Sequence, residues 1–146
     1  KNCIKPHQPK IMMYARSRGF LSLAAFLIHP EAPQIDLFGA IYPLVDWTTY
    51  NPALRDLRAT GPRRRYLSKK NLALSNQRTK FTEKAKKIVI VYGGNDSVVA
   101  PEKNAEVFKK SKATLIVIPD AGHDHDQRYW RSQEMSAALD AFFQRH

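Results

Sequence analysis

The sequence predicts an α/β fold: a parallel sheet with helices on both faces. Three observations point to it. Strand-type apolar runs alternate with helix-type runs, the pattern of parallel β-α units. The clearest strand, Lys87-Ile88-Val89-Ile90-Val91-Tyr92, is rich in β-branched residues and stops at Gly93-Gly94. Residues able to do chemistry follow several of the strands, and parallel sheets gather their sites at the carboxyl ends of strands.

Taken in order, Lys1 to Pro9 reads as an extended polar leader. Lys10 to Tyr14 is the first strand, near-continuously apolar, as expected of a strand buried on both faces. Phe20 to Ile28 is a helix that is apolar nearly all round, and Pro30 closes it. Ile35 to Tyr42 is the second strand, ended by Pro43. Leu44 to Lys86 reads as one long excursion outside the sheet, and long excursions in compact domains are usually functional lids. Lys87 to Tyr92 is the third strand. Pro101 to Lys110 is a helix with proline at its start and lysines in its last turn. Ala113 to Ile118 is the fourth strand, and Trp130 to Gln144 the last helix, with Met135, Ala138, Leu139 and Phe142 on one face.

Length and composition bound the rest. At 146 residues, 43% hydrophobic and 25% charged, the chain makes a single domain with material for a core. No apolar run reaches the ~18 residues of a membrane span. The leader lacks the pattern of a secretory signal. The first residue is Lys, which implies a processed, trimmed or longer parent chain. The single cysteine, Cys3, excludes an internal disulfide framework and fits a reducing, cytoplasmic setting. The net charge of +11 favours acidic partners, but no zinc knuckle, RNP-type aromatic motif or helix-turn-helix accompanies it, so nucleic acid is not the expected partner.

The chemistry centres on Ala15-Arg16-Ser17-Arg18-Gly19, set between the first strand and the first helix. A serine at a sharp strand-to-helix turn is held in a strained conformation with its Oγ exposed. The residues two before and two after it, Ala15 and Gly19, are small, as a close approach of strand and helix would require. Taken alone, the pentapeptide reads equally as a loop serine capping a helix. Two further groups follow strands: Asp96, in Gly93-Gly94-Asn95-Asp96, and His123, in Asp120-Ala121-Gly122-His123. Serine, acid and histidine thus come in that order along the chain.

That order and these loops resemble the α/β-hydrolase family, most closely its prolyl-oligopeptidase-like and dienelactone-hydrolase-like esterases. The matching stretches are Tyr14 to Gly19, Val91 to Val99 and Pro119 to His123, with Gly39-Ala40-Ile41-Tyr42-Pro43 similar to the strand after the elbow. The resemblance implies a serine hydrolase acting on a small acyl substrate without a cofactor. Ser17 would be the nucleophile, His123 the general base, Asp96 the orienting acid, and the Arg18 amide one oxyanion donor. Ala15 departs from the usual first glycine. A larger departure is that the family places the elbow after its fifth strand, whereas here it follows the first. The chain therefore looks like the carboxyl-terminal half of a hydrolase domain, without the segment that carries the second oxyanion donor. The expected partner is a second copy or a polypeptide supplying the amino-terminal half, joined at the open edge of the first strand.

Other readings remain at this level. His123 and His125 offer metal-ligand types, but no further His or Cys cluster completes a set, so no metal is expected. Asp46 also follows a strand and could replace Asp96. Trp47 and Tyr50 could line an acyl pocket or pack a lid. The whole chain could also be an inactive hydrolase fragment, or a basic module that binds a polyanion through its charge.

Overall fold

The computed structural model describes residues 9–45, 78–109, 111–123 and 128–144. Among these residues four strands are formed: β1 (Met12–Arg16), β2 (Ile35–Ile41), β3 (Ala85–Gly93) and β4 (Thr114–Ile118). They make one sheet in the order β1-β2-β3-β4, with every neighbouring pair parallel. The expected class and strand order hold. β2 and β3 are the inner strands and the most buried. β1 pairs with β2 at one end of the described sheet, where Met12 and Tyr14 are exposed.

Helices flank both faces. They are α1 (Gly19–Leu27), α2 (Pro101–Glu106), α3 (Arg128–Arg131) and α4 (Gln133–Gln144), with a 3-10 helix at Arg78–Lys84. The alternation of side chains along a strand separates the faces. Phe38 points to one side and meets the Phe20 ring of α1 at 6.1 Å and the Phe81 ring of the 3-10 helix at 4.8 Å. Its neighbour Gly39 faces the other way, where a Cβ would sit 3.7 Å from Met135 of α4. Phe20, Phe38, Phe81 and Phe108 form a fully buried aromatic cluster. Rings meeting edge to face gain somewhat more than their buried area alone provides.

Several boundaries differ from expectation, each for a local reason. β3 begins at Ala85 rather than Lys87, because pairing of Ala85 with Ile35 carries the ladder two residues further. α2 ends at Glu106 rather than Lys110. The amides of Phe108 and Lys109 bond the carbonyls three residues back, the tighter pattern of a fading helix end. The last helix is two helices, α3 and α4, parted at Ser132, whose hydroxyl donates to the Tyr129 carbonyl. The polar stretch before β3 contributes a core residue, Phe81, so the chain is packed against the sheet from there onward. The remainder of the expected excursion, 46–77, lies outside the described residues, as does the leader at 1–8 with Cys3. No helix among the described residues is long and apolar enough to cross a membrane.

Candidate active site

Ser17 sits on the turn between β1 and α1 with φ of 49°, in the left-handed region. A non-glycine residue there costs on the order of 1–3 kcal/mol, and the surroundings must hold it. They do so through the main chain. The Ser17 amide donates to Ile41 at 3.1 Å, while its carbonyl accepts from Phe20 at 3.2 Å and Leu44 at 3.0 Å. The serine is thereby tied to the end of β2 as well as to its own helix.

This arrangement leaves the hydroxyl free of any capping duty. Ser17 Oγ lies 2.9 Å from His123 Nε2. His123 Nδ1 lies 2.8 Å from Asp96 Oδ2. The Asp96 carboxylate is fully buried, whereas the imidazole keeps 19% of its surface exposed. The other carboxylate oxygen, Oδ1, accepts the amides of Val98 and Val99, each at 2.8 Å. With Asp96 ionised, the carboxylate is an acceptor only, so Nδ1 carries the imidazole proton. Nε2 of the neutral ring is then the acceptor for the serine hydroxyl. Burial raises the energy of each of these contacts, because the local dielectric is low.

The loops that carry the acid and the base are packed against each other. The Gly94 amide donates to Ile118 at 2.8 Å, and that of Asn95 to Ala121 at 3.0 Å. A Cβ on Gly93 would collide with the Ala121 carbonyl and the Tyr129 hydroxyl, and one on Gly94 with Pro119. Glycine at both positions lets the turn after β3 touch the turn after β4, which brings Asp96 to His123.

Ser17, Asp96 and His123, the three chemistry-bearing residues expected from the sequence, are thus brought together. Arg18 takes the N-cap position of α1, so its amide opens that helix. Trp47, Tyr50, Asp46 and His125 lie outside the described residues. The close approach expected at Gly19 is not found. A Cβ there would meet nothing within 4 Å among the described residues. Ala15, by contrast, is buried at 4% exposure, so smallness matters on the strand side.

Other features of the site went unread in the sequence. The Val98 and Val99 amides that hold Asp96 carry a local signal, an aspartate whose side chain accepts from residues two and three further on. Asn104 is fully buried and accepts the Val45 amide at 2.9 Å while donating to Ala100 at 2.7 Å. It anchors the chain leaving β2. Tyr92 is also buried, its hydroxyl without a partner among the described residues, and burial with the nearby Asp96 charge pushes its pKa well up. Tyr14 is pushed up to about 12, by burial and then by Tyr42, so both phenols are neutral across the working range.

No family model matches the sequence, and no curated protein matches it significantly. Solved structures do. The chain is similar to a candidate dipeptidyl aminopeptidase IV of Bacteroides ovatus, at 16% identity and a TM-score of 0.58 over 91% of this chain and 18% of that one. It is similar to an esterase of Pyrococcus furiosus, at 19% identity and a TM-score of 0.56 over 91% of this chain and 53% of the other. A monoacylglycerol lipase of Paleococcus ferrophilus matches at 15% identity and a TM-score of 0.54, over 91% of this chain and 68% of its own. The fold is that of the α/β hydrolases, and the chain spans a fraction of the length of each of these neighbours.

Proposed function

We propose that the chain is a serine hydrolase acting on a carboxylic ester or related acyl substrate through an acyl-enzyme intermediate. The observation that carries this reading is the hydrogen-bonded run from Ser17 Oγ through His123 to Asp96, at 2.9 and 2.8 Å, beside a strained serine. The names of the structural neighbours, an esterase and a lipase among them, support the same class.

In the first step Ser17 Oγ attacks the acyl carbon while its proton passes to His123 Nε2. The bond to the leaving group breaks as that proton is returned to it, leaving the acyl group on Oγ. Water then attacks the ester carbon, its proton passing to Nε2 and on to Ser17 Oγ, which releases the acid. Asp96 holds Nδ1–H and stabilises the imidazolium formed in each half. The Arg18 amide, at the N-terminus of α1, is assigned one oxyanion contact, where aligned peptide dipoles favour negative charge. Trp47 and Tyr50 are assigned to the acyl pocket. The second oxyanion donor is assigned to a polypeptide carrying the amino-terminal half of the domain.

Turnover of p-nitrophenyl acetate tests the reading. The chain, alone or with such a partner, is expected to hydrolyse it, and Ser17→Ala to lose at least ~10³-fold in kcat. Unchanged turnover in Ser17→Ala would place the activity elsewhere.

A further inference from the structure

Two hydrogen bonds hold the His123 imidazole, one at each ring nitrogen. They fix where the nitrogens point but resist rocking of the ring about the line between its partners only weakly. Something must press on its face. The Tyr42 ring does so, with centroids 4.3 Å apart and planes at 44°.

Tyr42 is itself held in a strained position, at φ of 35° just past β2. Its amide donates to Val91 at 2.7 Å, and the amide two residues on, that of Leu44, reaches the Ser17 carbonyl. The platform is therefore tied to the strand leading to Asp96 and to the serine. Tyr129 of α3 packs edge-on against Tyr42 at 5.2 Å, and its hydroxyl donates to the Gly122 carbonyl, one residue before His123. Both tyrosines are fully buried. The Arg16 guanidinium, 5.6 Å from the Tyr42 ring centroid, adds a cationic contact from β1.

We propose that Tyr42 and Tyr129 form an aromatic bracket that sets the plane of His123, Tyr42 by packing on the imidazole and Tyr129 by tethering its loop through Gly122. Both are positioning residues, acting through the histidine. The proposal rests on the reading of His123 as general base. Aromaticity at position 42 is the requirement. At position 129 the requirement is the hydroxyl.

The test compares Tyr42→Phe, Tyr42→Leu and Tyr129→Phe with the parent chain. All Tyr42 variants keep the same backbone strain, so differences report on the ring. Two readouts are used: kcat and KM for p-nitrophenyl acetate, and the downfield proton resonance of imidazole Nδ1–H bonded to a carboxylate. Tyr42→Phe, which keeps the ring, is expected to stay closer to the parent than Tyr42→Leu in both. Tyr42→Leu should lose up to ~10²-fold in kcat with KM little changed, as for a small misplacement of a reacting group. Its downfield resonance should broaden or vanish through exchange with water. Tyr129→Phe, which keeps the ring and removes one hydroxyl, should lose kcat by several-fold, and it carries the test if Tyr42→Leu does not fold. A sharp parent-like resonance and parent kcat in a folded Tyr42→Leu, or in Tyr129→Phe, would overturn the bracket. If the parent shows no turnover, alone or with a polypeptide carrying the amino-terminal half, the hydrolase reading fails, while the resonance still decides whether the bracket holds the ring.

Discussion

The carboxyl end of the sheet and the aromatic core under α1 are built on opposite terms. At the site end, Ser17 and Tyr42 both sit at positive φ, and a carboxylate is buried. In the core, Phe20, Phe38, Phe81 and Phe108 meet ring to ring, with nothing polar to satisfy. The first region holds the Ser17, His123 and Asp96 side chains in place at the expense of stability, and the second supplies the stability that permits it. Strain at the turn persists only because the surrounding structure over-determines it.

The comparison is broken most strongly from the core side. Phe81→Ala is expected to cost about 3–5 kcal/mol of unfolding free energy, the range for deleting a buried aromatic ring. Below its melting temperature the variant should keep its turnover, because the tie between the cluster and the site, the Phe20 amide on the Ser17 carbonyl, is a main-chain bond that Phe81→Ala leaves in place. A large loss of kcat at full folding would show that the two regions are not separate.

The site end gives a smaller effect with a diagnostic sign. Ser17→Gly and Ser17→Ala both remove the hydroxyl and differ in the Cβ held at φ of 49°. Glycine should be the more stable variant by about 1 kcal/mol, since it adopts that conformation without a steric penalty. Chemical denaturation reads this directly, and alanine more stable than glycine would show that the turn is unstrained.

Tyr92 lies where the two regions meet, a core side chain whose buried hydroxyl, close to Asp96, has no partner among the described residues. Removing both the group and its desolvation cost should be neutral to stabilising. Tyr92→Phe is expected to gain up to about 1 kcal/mol with kcat unchanged. A clear loss of stability would mean that the hydroxyl is satisfied in solution.

How much of this the sequence carries follows the same division. The strands are legible because buried parallel strands read as continuous apolar runs, as Lys87 to Tyr92 does. The turn at Ser17 is legible because strand, small residue, serine and helix are adjacent in the chain. Asp96 and His123 are found through their place after strands. Phe81 is not found, because one aromatic in a basic, polar stretch has no period to reveal it. The Tyr42–His123 and Tyr42–Tyr129 contacts are equally silent. They join the ends of different strands and a helix start, and nothing local encodes the meeting. Gly19 differs in the other direction, where a familiar pattern suggested a crowding not seen among the described residues.

The central claim is that Ser17 is a nucleophile made reactive by His123 and Asp96. Reaction of the folded chain with a fluorophosphonate, followed by peptide mass mapping, tests it most directly. A single phosphonyl adduct on the peptide carrying Ser17 is predicted, absent in Ser17→Ala and strongly slowed in His123→Ala. A folded chain that takes no label, or takes it at another residue, would contradict the account.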